Sequence, residues 1–213
     1  MAIQKSEAIL LRKKDLRETS LILAFYTRDF GKVNGVLKGA RGSRARSGMN
    51  PLFFSLDHIV FYENKRSSFF IISQYETQRI FLNILKDWDR ASAAYYLLEL
   101  ADALTEPGEK SEPVFENLLR SLESLDNKKE PGAIARLFEV KFLMELGLWP
   151  GHESFDLTKG AMSSLLCFEK EEWQKAAKIK LTCEVGDEIK NVTGKIISDN
   201  LERPLKTVKM ASF

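Results

Sequence analysis

Five short segments rich in β-branched and aromatic residues occupy the first 75 residues of this chain. They are EAILL from residue 7, SLILAFYTR (20–28), GKVNGVLKG (31–39), LFFSLDHIVFY (52–62) and SSFFIISQY (67–75). Each is short for a helix, and tight connections such as Asp29-Phe30-Gly31 join neighbouring segments. This spacing predicts a small five-stranded β-barrel of the OB type, with a five-stranded open sheet as the alternative.

Helical patterns follow the strand-like segments. The predicted helices cover residues 90–104, 113–125, 133–147, 157–167, 171–179 and 185–200. Asp89 is predicted to cap the first of these helices, and Gly147, with Pro150 beyond it, is predicted to end the third. The sequence therefore predicts an α+β protein with an OB-type barrel domain over residues 1–80 and an all-α helical domain over residues 81–213.

Charge is distributed unevenly between these two parts. The whole chain has a net charge of only +2, with 44% hydrophobic and 29% charged residues, as in an ordinary globular protein. Residues 1–80 contain 14 Lys and Arg against 7 Asp and Glu, whereas the rest of the chain contains 18 against 23. Such asymmetry indicates a basic module for a polyanion, joined to a module with a different role.

The segment KGARGSRARSG (38–48) is the most basic stretch, and it connects the third and fourth predicted strands. Its glycines allow the backbone to approach a ligand closely, and its cations can follow a phosphate chain. Further cations lie near other predicted turns, and Tyr26 and Phe30 flank the hairpin as candidates for stacking on unpaired bases. The predicted DNA-binding residues are Arg12, Lys13, Lys14, Arg17, Tyr26, Arg28, Phe30, Lys32, Lys38, Arg41, Arg44, Arg46, Lys65 and Arg66.

Motifs for catalysis or metal binding are missing from the sequence. The chain has two histidines and two cysteines, Cys167 and Cys183, without a paired C-x-x-C, and none of the common phosphate-loop or nucleophile motifs. We therefore expect no catalytic residues, no metal and no cofactor. The N-terminus has no secretory signal pattern, and no apolar run reaches the roughly 20 residues of a membrane span. This predicts a cytoplasmic protein that does not cross a membrane.

Two regions of the chain resemble the RecO family of bacterial recombination mediators. In the basic part the likeness includes Glu7-Ala8-Ile9, Thr27-Arg28, Gly31-Lys32 and Lys38-Gly39-Ala40-Arg41. In the helical part it includes residues 96–100 and 138–147, followed by Pro150. The resemblance covers residues 5–150 in the same order.

The resemblance implies an N-terminal OB domain, a helical domain and a non-enzymatic role in DNA repair. Such proteins bind single- and double-stranded DNA and anneal complementary strands. They engage the acidic C-terminal tail of single-stranded DNA-binding protein and act with RecR to load RecA. The implied DNA contacts here include Arg28, Lys32, Lys38, Arg41 and Arg44, and the implied location is the cytoplasm, in association with the nucleoid.

One departure from the family pattern lies just beyond the third predicted helix. Many members carry paired cysteines that hold zinc there, whereas residues 147–168 of this chain contain one cysteine.

Two other functions also fit a basic barrel: an OB-fold RNA-binding protein and a nucleic-acid-processing enzyme. The acids Asp57, Glu63 and Glu76 lie in the basic part, but their spacing does not indicate a metal-binding carboxylate set.

Overall fold

The computed structural model describes residues 3–40, 50–64 and 67–207. Five strands precede six helices, and these residues belong to two compact units: Met1–Leu82 with Leu98–Leu119, and Asn83–Leu97 with Arg120–Phe213. The strands are β1 (Ile3–Leu16), β2 (Ser20–Thr27), β3 (Gly31–Leu37), β4 (Ser55–Tyr62) and β5 (Phe70–Ile80). The helices are α1 (Trp88–Leu104), α2 (Glu112–Asp126), α3 (Pro131–Glu145), α4 (Lys159–Lys170), α5 (Trp173–Ala176) and α6 (Cys183–Asn200), with a 3₁₀ turn at His152–Ser154.

The five strands form a closed barrel in the order β1–β2–β3–β5–β4, with β4 pairing back to β1. All pairs are antiparallel except β3 with β5, which pair in parallel over Gly35–Leu37 and Phe70–Ile72. The barrel followed by helices confirms the predicted α+β fold with an OB-type barrel. The open-sheet alternative was wrong.

Side chains that alternate along the strands fill the barrel, as the period-two pattern requires. Leu21, Leu23 and Phe25 of β2 all point inward and are at most 2% exposed. Phe61 lies at the centre, with the rings of Phe30 and Phe70 packed edge-on against it at 5.4 and 5.2 Å between centroids. Aromatic packing of this kind therefore holds the interior together.

Strand β1 extends well beyond the predicted apolar segment at residues 7–11. Arg12, Lys13 and Lys14 were expected after the strand, but they lie within it, paired with Ala24, Leu23 and Ile22 of β2. Backbone hydrogen bonding to β2 carries the strand through these polar residues, because pairing depends on the main chain and not on side-chain polarity.

The second unit is built from helices whose ends are capped by side chains. Glu130 accepts hydrogen bonds from the backbone N–H groups of Gly132 and Ala133 at the start of α3, and Gly147, with a φ of 69°, follows the end of that helix as expected. The hydroxyls of Thr158 and Thr182 cap α4 and α6. Helices α3, α4 and α6 pack against one another.

Two details of the predicted helices were wrong. The carboxylate that accepts a hydrogen bond from the Arg90 backbone N–H, at 3.1 Å, belongs to Asp87 and not to Asp89, so α1 begins at Trp88, two residues earlier than predicted. Helix α5 has four residues and not the nine expected over 171–179, because the backbone N–H groups of Lys178 and Ile179 form the tighter i to i−3 bonds.

A buried charged network lies inside the second unit. Glu139 of α3 is fully buried, and its carboxylate accepts hydrogen bonds from the Tyr96 hydroxyl at 2.6 Å and from the Thr193 hydroxyl of α6. The guanidinium of Arg136, only 4% exposed, lies 3.0 Å from the same carboxylate. Residues from α1, α3 and α6 are thus joined through one carboxylate.

No helix in the part of the chain that the structure describes combines the length and the apolar composition needed to cross a bilayer.

Candidate nucleic-acid interface

One end of the barrel gathers four of the predicted DNA-binding cations. The β1–β2 turn joins Leu16 to Ser20, and Leu21 pairs with Leu37 at the end of β3. This register places Arg17 in the turn and Lys38 after β3 at the same end of the barrel, close to Lys13 and Lys14 near the end of β1. We call Lys13, Lys14, Arg17 and Lys38 the basic end.

The segment that leads into β4 returns to this end of the barrel. The Lys13 ammonium donates to the Pro51 carbonyl at 3.0 Å and lies 3.4 Å from the Asn50 side-chain oxygen. Lys14, Arg17 and Lys38 are exposed, whereas Lys13 is half-buried beneath these contacts. The connection between β3 and β4 therefore begins and finishes beside the basic end.

Two acids lie among these cations. Asp15 and Glu18 are exposed in the same stretch as Lys14 and Arg17, so the described residues contribute an excess of two positive charges here. An excess of this size attracts a polyanion modestly by itself. The predicted contacts Arg41, Arg44 and Arg46 would add to it, but they lie outside the described residues, as do Lys65 and Arg66.

The face of β2 and β3, where OB barrels commonly bind oligonucleotides, is covered by residues Leu98–Leu119 of the same unit. The Gly108 backbone N–H donates to the Lys32 carbonyl at 3.1 Å. A side chain at Gly31, which has a φ of 62°, would place its Cβ 1.9 Å from the carbonyl oxygen of Glu109. At Gly31 and Lys32 this close approach leaves no room for a nucleic acid over the β2–β3 hairpin.

Asp102 pairs with two of the predicted contacts on the covered side. Its carboxylate lies 2.8 Å from the Arg12 guanidinium and 3.7 Å from the Lys32 ammonium, which also donates to the Asp102 carbonyl at 2.8 Å. Lys32 is 9% exposed. Its charge is thus neutralised within the protein, while Arg12 keeps about half of its side chain in solvent.

Arg28 lies at the other end of β2 and is surrounded by acids. Its guanidinium donates to Glu7 at 2.7 Å and to Glu116, lies 3.3 Å from Glu112, and stacks 4.5 Å from the centre of the Phe115 ring. Through these contacts Arg28 joins β1 to α2 within the first unit. Its side chain is in an ion-pair network and is not presented as a free phosphate contact.

The two predicted stacking aromatics, Tyr26 and Phe30, are both packed against other parts of the first unit. Tyr26 is 1% exposed, and its hydroxyl donates to the Ser111 carbonyl at 3.4 Å. Burial raises the pKa of Tyr26 to about 12. Phe30 is half-buried against Phe61. Tyr26 therefore offers no open ring face to a base, since the side of β2 that bears it is the covered one.

The acids considered for a nuclease do not converge. Asp57 is fully buried inside the barrel, whereas Glu76 is exposed on the outside of β5. Among the residues described, no three His, Cys, Asp or Glu side chains lie close enough together to hold a metal ion.

Comparisons with known proteins agree with this architecture. Residues 1–81 match the family described as "Recombination protein O N terminal", and residues 85–154 match "Recombination protein O C terminal". The chain is 36% identical over 152 residues to the DNA repair protein RecO of Moorella thermoacetica, covering 70% of this chain and 55% of that protein. It is 35% identical over 149 residues to that of Alkaliphilus metalliredigens, covering 68% and 59%.

A relative from Listeria monocytogenes, also named DNA repair protein RecO, is 27% identical over 184 residues, or 81% of this chain and 71% of that protein. The fold defines a protein with an N-terminal OB-type barrel, followed along the chain by a helical region. The chain belongs to the recombination protein O family, RecO. It spans less than two thirds of the length of the relatives from Moorella and Alkaliphilus.

Proposed function

We propose that this chain is a non-enzymatic DNA-binding protein of DNA repair that acts as a recombination mediator. In this role it binds single- and double-stranded DNA, anneals complementary strands and helps to load RecA onto strands coated by single-stranded DNA-binding protein, together with RecR. Membership of the RecO family supports the assignment to DNA repair. A cytoplasmic location at the nucleoid follows from the same proposal.

The observation that carries the DNA-binding proposal is the basic end. Lys14, Arg17 and Lys38 are exposed there, and Lys38 leads directly into the arginine-rich segment 41–46. Among the described residues, these three predicted contacts are exposed and lie together, whereas Arg28 and Lys32 pair with acids of residues 102–116. Contacts to phosphate from such cations position a strand without reading its sequence.

Binding of a fluorescent thymidine oligonucleotide, measured by anisotropy across a range of salt concentrations, tests this proposal. On single strands the affinity falls with salt by a logarithmic slope of about 0.7 for each phosphate contact. We expect the triple variant Lys14→Ala, Arg17→Ala, Lys38→Ala to bind more weakly and to lose about two units of slope. A second variant, Arg41→Ala, Arg44→Ala, Arg46→Ala, tests the sequence-predicted contacts in the same way.

A control variant removes the same charge elsewhere. Lys178, Lys180 and Lys195 are exposed in the helical region, and their replacement by alanine is expected to leave the salt slope unchanged. Equal binding by the unchanged protein and both barrel variants would place the DNA site on another surface. A salt-independent affinity, or no binding at all, would refute the proposed function.

The same preparation separates the two alternative functions. Preference for RNA over DNA of equal sequence would favour an OB-fold RNA-binding protein. Cleavage or modification of labelled DNA in the presence of a divalent metal would favour a nucleic-acid-processing enzyme, since a mediator leaves the strands uncut.

For the acidic tail of single-stranded DNA-binding protein, we propose a cavity in the second unit. It has a volume of about 410 Å³ and lies where the N-terminal ends of α3 and α6 meet. Pro131 and Leu181 supply an apolar wall, and Lys190 supplies positive charge, alongside the acids Asp89, Glu130 and Asp187. Arg136 also lines the cavity, but its charge is paired with Glu139. An acidic peptide with an apolar end would place its apolar residue against Pro131 and Leu181 and a carboxylate near Lys190.

Titration of ¹⁵N-labelled protein with the tail peptide tests the cavity. We expect the largest chemical-shift changes at Ala133 and Gly186, and weaker binding by Lys190→Glu than by the exposed-site control Lys178→Glu. An unshifted helical region at saturating peptide, or equal binding by the two variants, would refute this site.

A further inference from the structure

A hydrogen-bonded group inside the barrel lies directly beneath the segment that leads into β4. The Asp57 carboxylate accepts from the Tyr75 hydroxyl at 2.9 Å and lies 3.0 Å from the Ser55 hydroxyl. The Thr77 hydroxyl donates to the Tyr75 oxygen at 3.2 Å. Asp57 is fully buried and Tyr75 is 7% exposed, so these bonds are made away from bulk solvent, where a missing partner is costly.

The Tyr75 oxygen also accepts a hydrogen bond from the backbone N–H of Leu52, at 3.2 Å. Leu52 follows Pro51, whose carbonyl accepts from the Lys13 ammonium. A continuous chain of contacts therefore runs from Asp57 through Tyr75 and residues 51–52 to a cation of the basic end.

The backbone around Leu52 needs this support. Phe54 has a φ of 60°, a conformation that a bulky residue rarely adopts, and it is held there with 1% exposure. Its carbonyl accepts from the Phe81 backbone N–H at 2.9 Å, and the Ser55 hydroxyl lies 2.9 Å from the Leu52 carbonyl. A strained segment persists only where its surroundings fix it, and here Tyr75 provides one of the fixing bonds.

We propose that Tyr75, oriented by Asp57, is a positioning residue for DNA binding at the basic end of the barrel. It fixes residues 51–55 and, through the Pro51 carbonyl, the ammonium of Lys13. The proposal rests on the proposed DNA-binding function, and neither residue contacts the DNA. Positioning of this kind lowers the ordering cost of binding without changing the number of cations that meet phosphate.

The variant Tyr75→Phe keeps the ring and removes only the oxygen that holds Leu52. We expect it to bind a thymidine oligonucleotide about three- to tenfold more weakly, the factor that one intramolecular hydrogen bond commonly represents. Because no charge is lost, its salt slope should equal that of the unchanged protein, unlike the slopes of the alanine variants at the basic end. The exchange of the Leu52 amide hydrogen should accelerate, while that of Ile59 in the core of β4 stays slow.

Three further variants keep the experiment decisive. Asp57→Asn retains an acceptor for the Tyr75 hydroxyl and is expected to bind DNA within about twofold of the unchanged protein, whereas Asp57→Ala should be as weak as Tyr75→Phe. Ser73→Ala is the matched control, because it removes another hydroxyl of β5, bonded to the Val60 carbonyl at 3.1 Å and away from residues 51–55. It should alter neither Leu52 exchange nor DNA affinity.

The outcomes separate this proposal from the proposed function. If the unchanged protein binds DNA and Tyr75→Phe binds it equally well, positioning by Tyr75 is refuted while DNA binding stands. An affinity loss accompanied by a shallower salt slope, or by unchanged Leu52 exchange, would also refute it. If the unchanged protein does not bind DNA, both proposals fail.

Discussion

Replacing Glu139 by leucine is expected to destabilise the helical unit by about 3–5 kcal/mol, as breaking a buried ion pair commonly does. The change removes the only carboxylate seen to pair with Arg136 among the described residues, and leaves a guanidinium that is 4% exposed without its counter-charge. It also removes the acceptor of the Tyr96 hydroxyl. Thr193 is affected less, since its hydroxyl also lies 3.0 Å from the Ile189 carbonyl.

Urea unfolding followed by tryptophan fluorescence measures this loss. Trp149 and Trp173 both lie in the helical unit, where the Trp173 indole donates to the Ser124 hydroxyl at 3.1 Å, so their emission reports on the affected part. The expected result is a lower midpoint for Glu139→Leu.

A compensated variant shows whether the uncompensated charge is the cause. In Tyr96→Phe, Arg136→Met, Glu139→Leu the buried polar groups are removed together, and we expect most of the stability to return, because an apolar replacement of a whole buried ion pair is often neutral. If the triple variant is as unstable as Glu139→Leu, lost packing and not the unpaired charge explains the effect. A single variant with unchanged stability would contradict the network's role.

The variant Asp57→Asn is expected to stabilise the protein at neutral pH by about 1–3 kcal/mol, from a shift of roughly two pKa units at 1.36 kcal/mol each. Burial raises the pKa of Asp57 from 3.8 to about 6, although hydrogen bonds from Tyr75, Ser55 and Thr77 oppose the shift. Between pH 4 and pH 6 the folded protein therefore binds more protons at this site than the unfolded chain. Its contribution to stability is greatest below pH 4 and is lost as the pH rises through 6.

Urea unfolding followed by circular dichroism at pH 4.5, 6 and 7.5 tests this prediction. Circular dichroism is used because the three tryptophans, at positions 88, 149 and 173, lie outside the barrel. The stability difference between Asp57→Asn and the unchanged protein should grow from pH 4.5 to pH 7.5. Asp156→Asn, at an exposed position, should show no such growth. A constant difference at all three values would mean that Asp57 does not titrate in this range.

Sequence patterns located most elements because those patterns are local. The short run of β-branched, aromatic and other apolar residues in SLILAFYT marks β2 directly, and the predicted helix over 113–125 lies within α2 (Glu112–Asp126). Predictions failed where the deciding partner is distant in sequence. Arg12, Lys13 and Lys14 extend β1 because β2 pairs with them, and residues 52–54 do not join β4 because Phe54 adopts a positive φ.

For the same reason, the sequence predicted the exposure of some cations of the candidate site correctly and that of others incorrectly. Lys14, Arg17 and Lys38 are exposed cations, as expected. Lys32 and Arg28 looked equivalent to them in sequence, yet each pairs with acids 70 or more positions away in residues 102–116. No local signal distinguishes a cation that meets solvent from one that meets a carboxylate of a later helix. The contacts of Tyr75 were missed because Leu52 and Asp57 meet it only once β4 pairs with β5.

The sequence by itself determined the strand and helix content, the positive charge of the first 80 residues and the family, because composition, periodicity and matching segments are properties of the chain. Only the tertiary structure decided which of the described cations are exposed. Residues Leu98–Leu119 cover the β2–β3 face and pair with Arg12, Arg28 and Lys32, whereas the β1–β2 turn and the end of β3 keep theirs in solvent. Burial and ion pairing depend on contacts between residues far apart in the chain, and the folded barrel brings those residues together.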